Sequence, residues 1–159
     1  MAIVKIILIM GLLMVFYQDI KERLVYWFLF PIIALCSGIL LYKNMFQELF
    51  ITTLAINIAF VLFLLLVVFG YSKFKLKTSM KQTFGLGDAL LFFALAFTFA
   101  SVSFLILFVF GLLFSLVLHL FLKNRSNLKT VPLAGYLCFF FAIAYITHWL
   151  GILKSVYTI

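Results

Sequence analysis

Residues 85–95 read GLGDALLFFAL, which places the carboxylate of Asp88 at the head of an apolar run with two glycines leading into it. The chain has one other aspartate, Asp19, which follows a second apolar run at residues 3–17. An ionisable side chain at membrane depth is costly and usually marks a functional site. The two aspartates are therefore predicted to act together at one site.

Composition restricts the class of protein. The chain has 159 residues, of which 68% are hydrophobic and only 10% are charged. A soluble domain of this size could not bury so much apolar surface, and apolar runs of about 18 residues are typical of membrane-spanning helices. We expect an all-α integral membrane protein with one transmembrane domain over residues 1–159. The first run lacks a small-residue cleavage site, which favours a membrane helix over a signal peptide.

Hydropathy predicts a bundle of about six transmembrane helices with short connections. A tight connection at residues 101–103 is expected between the fourth and the fifth. The six predicted segments are 3–17, 24–42, 49–71, 84–100, 104–122 and 131–150.

Charge predicts the orientation of the bundle. The net charge is +8, and nine of the twelve lysines and arginines lie in the first, third and fifth connections. Because cytoplasmic loops are enriched in positive charge, those connections are expected in the cytoplasm and both termini on the outer side of the inner (cytoplasmic) membrane. Because membrane topology explains the positive charge, no nucleic-acid partner is expected. The expected partner is membrane lipid. Asp19 and Asp88 are predicted at the same cytoplasmic face.

Two carboxyl groups held close together cannot both ionise cheaply, so one keeps a proton. Such a pair can activate water as a general base while the protonated partner polarises a carbonyl. The helix N-terminus is expected to favour Asp88 as the ionised member. Gly85 and Gly87 would let the backbone bend and allow a close approach by another chain.

Simpler interpretations exist for each aspartate alone. An aspartate at a helix start is usually a cap. Asp19, close to Lys21 and Arg23, could be an ordinary charge at the membrane interface.

The other chemically competent side chains are scattered. His119 and His148 are predicted at opposite faces, and Cys36 and Cys138 are single residues without metal-ligand spacing. No metal and no cofactor is expected.

With these residues in view, the chain resembles the type IV prepilin peptidase family, the GxGD-type intramembrane aspartyl proteases. Three motifs carry the resemblance, in the family's order along the whole chain. They are DIKERLV at residues 19–25 with Asp19, Lys21 and Arg23, GLGD with Gly85, Gly87 and Asp88, and VPLAG at residues 131–135 with Pro132 and Gly135.

The resemblance implies that Asp19 and Asp88 are the catalytic aspartates of an endopeptidase. The implied substrate is a prepilin-like membrane protein, cut after its short basic leader at the cytoplasmic face. Three features depart from the family pattern. Leu90 stands where the family has a lysine, and Tyr26-Trp27 stands where it often has a Pro-Asn pair. An amino-terminal region with paired CxxC motifs is missing. A minimal form is therefore expected, for which the resemblance does not imply N-methyltransferase activity.

An alternative reading keeps the same two carboxylates without proteolysis. They could relay protons or bind a cation in a transport or assembly protein of the membrane. Their predicted placement at one face, instead of staggered through the bilayer, favours the peptidase.

Overall fold

The computed structural model describes residues 1–73, 85–122, 132–153 and 156–157. The secondary structure over these residues is entirely helical, which confirms the all-α prediction for this part of the chain. The six helices described are α1 (Ala2–Lys21), α2 (Leu29–Asn44), α3 (Gln47–Tyr71), α4 (Leu86–Leu95), α5 (Ser101–Leu122) and α6 (Leu133–Trp149).

Three of these helices, α1, α3 and α5, are long and apolar enough to cross a membrane. Most of α3 and α5 is not buried inside the protein, and large apolar side chains such as Phe63, Leu66 and Phe110 are exposed. An apolar exterior of this extent is typical of a membrane protein, because lipid replaces water around it. The helices α2, α4 and α6 are shorter, at 16, 10 and 17 residues.

The helix α6 occupies the centre of the packing and contacts α1, α5 and α4. The helix α2 lies between α1 and α4, and α3 packs on α4 and α5. A layer of buried aromatic rings, including Phe92, Phe104, Phe108 and Phe141, fills the space between these helices. The C-terminus of α1 and the starts of α4 and α6 lie at the same end of the bundle. We call it the aspartate end.

The boundary between α1 and α2 differs from the prediction. The helix α1 continues to Lys21, so that Asp19 belongs to its last turn. The helix α2 begins at Leu29 instead of residue 24, with Pro31 in its first turn. A proline is tolerated there because the first amides of a helix have no partner, whereas a longer helix would place the ring against a carbonyl one turn earlier. The intervening segment is tied back to α1, since the N–H of Tyr26 donates to Oε1 of Gln18 at 3.2 Å.

The predicted connection at residues 101–103 is wrong. The helix α4 ends at Leu95, residues 96–100 form a buried non-helical segment, and Ser101 already begins α5. Side chains from elsewhere satisfy the freed backbone carbonyls. Nδ2 of Asn57 donates to the carbonyls of Ala96 and Phe99 at 2.9 and 3.1 Å, and the hydroxyl of Tyr145 donates to that of Thr98 at 3.3 Å. Irregular backbone at membrane depth is tolerated where protein groups satisfy it in this way.

Candidate active site

Asp88 lies in the first turn of α4, where it acts as a cap. Gly85 is the N-cap residue, in extended conformation, and Asp88 is the third helical residue. The Asp88 carboxyl accepts a hydrogen bond from the backbone N–H of Gly85. This contact is one half of a capping box, since glycine has no side chain to supply the other half, and it satisfies a backbone donor left free at the helix start. Asp88 therefore has the ordinary role of a helix cap, and it also interacts with Ala134 and Asp19.

Asp19 lies in the last turn of α1 and is 8% exposed. Its Oδ2 accepts a hydrogen bond from the backbone N–H of Gly135, at 2.6 Å and across 116 residues of sequence. This short, buried contact joins the C-terminal end of α1 to the first turn of α6.

The first turn of α6 brings the two aspartates together. Asp88 accepts a hydrogen bond from the N–H of Ala134, and Asp19 accepts one from the next residue, Gly135. The first amides of a helix have no intrahelical acceptor, and the positive end of the helix dipole favours anionic partners. The two carboxyls are close enough to interact electrostatically. Because both lie at this helix start, the helix-dipole argument made for Asp88 applies to Asp19 as well.

The glycines of the motifs serve mainly to leave space. A Cβ added at Gly135 would lie 3.1 Å from Oδ2 of Asp19 and 3.3 Å from the carbonyl oxygen of Phe16, so α1 and α6 could not meet as they do. A Cβ at Gly85 would lie 3.0 Å from Oδ2 of Asp88. At Gly87 the nearest atom is Cζ of Phe30, at an ordinary 3.8 Å. Among the described glycines only Gly151 has a positive φ, so the expected backbone bend at residues 85 and 87 does not depend on glycine's freedom.

The two basic residues of the first motif are placed differently. Arg23 follows α1 in the left-handed conformation, with φ 56°, and interacts electrostatically with Asp19 and Asp88. Its Nε is buried without a hydrogen-bond partner in the part of the chain that the structure describes. Lys21 is exposed, and its Nζ donates to the Tyr17 hydroxyl at 3.2 Å. Arg23, and not Lys21, is the cation beside the carboxyl pair.

Pro132 stands at the N-cap of α6, where its missing N–H costs nothing, and its carbonyl accepts from the N–H of Tyr136 at 3.2 Å. Sequence reasoning missed Tyr136 and Cys138, which are buried in the first turns of α6 and interact electrostatically with Asp19. The sequence feature that could have identified them is their position directly after Gly135, the last residue of the third motif.

The remaining predicted features lie away from the pair or outside the described residues. Leu90, where the family has a lysine, is 45% exposed. In the part of the chain that the structure describes, no three histidine, cysteine or acidic side chains are grouped to hold a metal. The predicted basic residues of the third and fifth connections that fall outside the described residues are Lys75, Lys77, Lys81, Lys123, Arg125 and Lys129.

Comparisons with known proteins found no match to this chain among protein-family models, curated proteins or solved structures. The resemblance to prepilin peptidases therefore rests on the three sequence motifs.

Proposed function

We propose that the protein is an intramembrane aspartyl endopeptidase of the prepilin peptidase type, built on six helices in the cytoplasmic membrane. The observation that supports this proposal best is the pairing of the two carboxyls on consecutive backbone amides, those of Ala134 and Gly135. All three motifs of the resemblance contribute to this one cluster, although more than 100 residues separate the first from the last.

The proposed reaction is peptide hydrolysis through a non-covalent intermediate. One of Asp19 and Asp88 is ionised and takes a proton from water as its oxygen attacks the scissile carbonyl carbon, while the other donates its proton to the carbonyl oxygen. The tetrahedral intermediate then collapses, the C–N bond breaks, and the leaving amine takes up a proton. The chain supplies fixed positions for both carboxyls and a nearby cation in Arg23.

The surface beside the pair suits a substrate whose apolar helix follows a polar leader. Immediately after Arg23, Leu24 and Trp27 are 75% and 73% exposed, although both are apolar. Exposed apolar residues next to charged groups are typical of a membrane interface. In a prepilin-like substrate, the short basic leader would meet the carboxylates, and the hydrophobic helix that follows it would meet the apolar surface.

The test is cleavage of such a substrate by purified protein in liposomes, with the mass of the released leader as readout. Wild type should release the leader, and Asp19→Asn and Asp88→Asn should each reduce cleavage below about one part in 10³ of wild type. Glu48→Gln is a matched control, since Glu48 lies in the first turn of α3 on the exposed surface. It should cleave as wild type does.

Full cleavage by either aspartate variant would refute the carboxyl-pair mechanism. A folded wild-type protein that cleaves no leader, but conducts protons only when both aspartates are present, would support a transport function instead of a peptidase function.

A further inference from the structure

A polar cavity of about 340 Å³ lies at the end of the bundle opposite the aspartates. The start of α1 and the ends of α2 and α6 form its walls. Its lining residues are Met1, Lys5, Leu40, Lys43, Asn44, His148, Trp149 and Tyr157. The cavity thus belongs to none of the three motifs of the candidate active site.

The charge of this cavity is of one sign. Lys5 and Lys43 contribute ammonium groups from two helices, and His148 adds an imidazole from a third. No aspartate or glutamate is among the described residues that line it. Two cations on separate helices without an acidic partner attract an anion.

Tyr157 lines the cavity with its ring, and its hydroxyl has no hydrogen-bond partner among the described residues. The side chain is 8% exposed, and its hydroxyl is buried without a hydrogen-bond partner. Burial raises the pKa of Tyr157, so the phenol keeps its proton and remains a donor. The ring is held edge-on to His148, 5.0 Å between centroids, and Nδ1 of His148 lies 2.6 Å from the carbonyl oxygen of Leu153.

An apolar groove continues from this cavity along the outside of the bundle. It has a volume of about 380 Å³ and runs along α1 past Ile6, Ile9 and Met10. The cavity and the groove share Lys5 and Trp149, and Nζ of Lys5 lies 4.9 Å from the centre of the Trp149 ring. Tryptophan and lysine at this position are typical of the membrane–water interface.

We infer that the cavity and the groove together bind one anionic phospholipid. The phosphate lies in the cavity, where Lys5 and Lys43 donate to its oxygens, and an acyl chain lies in the groove. The adjoining groove favours a lipid over a free phosphate ion. The absence of an acidic side chain among the described lining residues favours an anionic headgroup over a zwitterionic one, because an amine would meet only cations.

The experiment is native mass spectrometry of delipidated wild-type protein titrated with phosphatidylglycerol, phosphatidylcholine or inorganic phosphate. We expect one phosphatidylglycerol per chain at concentrations where the other two probes leave the protein unbound. Lys5→Gln and Lys43→Gln should each weaken this binding about tenfold, since each removes a charge-assisted hydrogen bond.

Two further variants separate the groove from general effects. Ile6→Trp, at a position 61% exposed, places bulk in the groove and should reduce lipid binding while phosphate binding stays unchanged. Lys73→Gln, an exposed lysine outside the cavity, should bind the lipid as wild type does.

Equal binding of phosphatidylcholine would overturn the headgroup assignment. Phosphate binding as tight as that of phosphatidylglycerol would overturn the lipid in favour of a free anion. Unchanged lipid binding by folded Lys5→Gln and Lys43→Gln would overturn the site itself.

Discussion

At the scale of single residues, each aspartate has a structural hydrogen bond in addition to any chemistry. Asp19 accepts from Gly135, and Asp88 accepts from Gly85 and Ala134. An asparagine oxygen can accept the same bonds but cannot take up a proton, whereas an alanine loses both functions. Asparagine is therefore the substitution that separates proton transfer from assembly of the helix ends.

Gly135→Ala should damage the site by its volume alone. The new methyl group meets the side chain of Asp19 and the backbone of α1 at 3.1 to 3.3 Å, and backbone cannot give way easily. We expect a destabilisation of about 1–3 kcal/mol, typical of overpacking, and a loss of cleavage. Thermal unfolding in detergent and the leader-release assay measure the two effects.

Gly87→Ala is the matched control, because its methyl group would meet only Phe30 at 3.8 Å. It should change stability by less than about 0.5 kcal/mol. Equal damage at both positions would contradict the spatial role assigned to Gly135.

Arg23→Gln should move the acid limb of the cleavage rate to higher pH. The guanidinium favours the ionised form of the carboxyl pair, so without it ionisation requires a higher pH. We expect the acid limb to move to higher pH, and Arg23→Lys to keep most of the wild-type profile. The rate of leader release across a pH series measures the shift.

Lys21→Gln provides the comparison, since Lys21 is bonded to Tyr17 and not to the pair. Its acid limb should match that of wild type. A shift with Lys21→Gln and none with Arg23→Gln would reverse the roles assigned to these cations.

At the scale of elements, the segment 96–100 sets the length of α4. The Asn57 amide, from α3, bonds two carbonyls of this segment, and the N–H of Ala100 donates to the carbonyl of Val156 at 3.0 Å. The end of α4 is thus determined by α3, α6 and the C-terminal residues together.

Asn57→Leu should be one of the most destabilising changes outside the candidate active site. It leaves the buried carbonyls of Ala96 and Phe99 without their donor, at a cost of about 1–3 kcal/mol for each. Thermal unfolding in detergent should show a clear decrease in stability.

Ser115→Ala is the control, because the buried Ser115 hydroxyl donates only to Gly111 of its own helix, at 2.8 Å. That carbonyl keeps its intrahelical donor, so we expect a change below about 0.5 kcal/mol. A similar effect of both substitutions would argue against a special role for Asn57.

At the scale of the whole molecule, the two ends of the bundle differ in chemistry. One end holds the carboxyl pair and Arg23, and the other holds Lys5, Lys43 and the polar cavity. The distribution of positive charge along the sequence predicts that the aspartate end faces the cytoplasm.

A labelling experiment checks this orientation. With Cys36 and Cys138 replaced by alanine, Glu22→Cys should react with an impermeant maleimide only from the cytoplasmic side, and Gln47→Cys only from the outer side. Both positions are exposed, at opposite ends of the bundle. The reverse pattern would invert the topology and place the proposed cleavage outside the cell.

The sequence predicted the helices and the ends at which the aspartates lie, because long apolar runs and single charges are strong local signals. It did not predict the end of α4, since residues 96–100 continue the apolar run without glycine or proline. The donor that stabilises this break, Asn57, comes about 40 residues earlier in the chain. The joining of Asp19 and Asp88 through α6 depends on tertiary contacts that no local pattern encodes.

The shortness of α4 has a consequence for biogenesis. Ten residues of helix extend about 15 Å, half the thickness of the hydrocarbon core, so α4 is a poor substrate for insertion by the translocon on its own. Tyr145 and Val156, which bond the segment after α4, are synthesised after it. We therefore expect the nascent chain to settle α4 only after α6 has been translated, so that the carboxyl pair forms no earlier than α6.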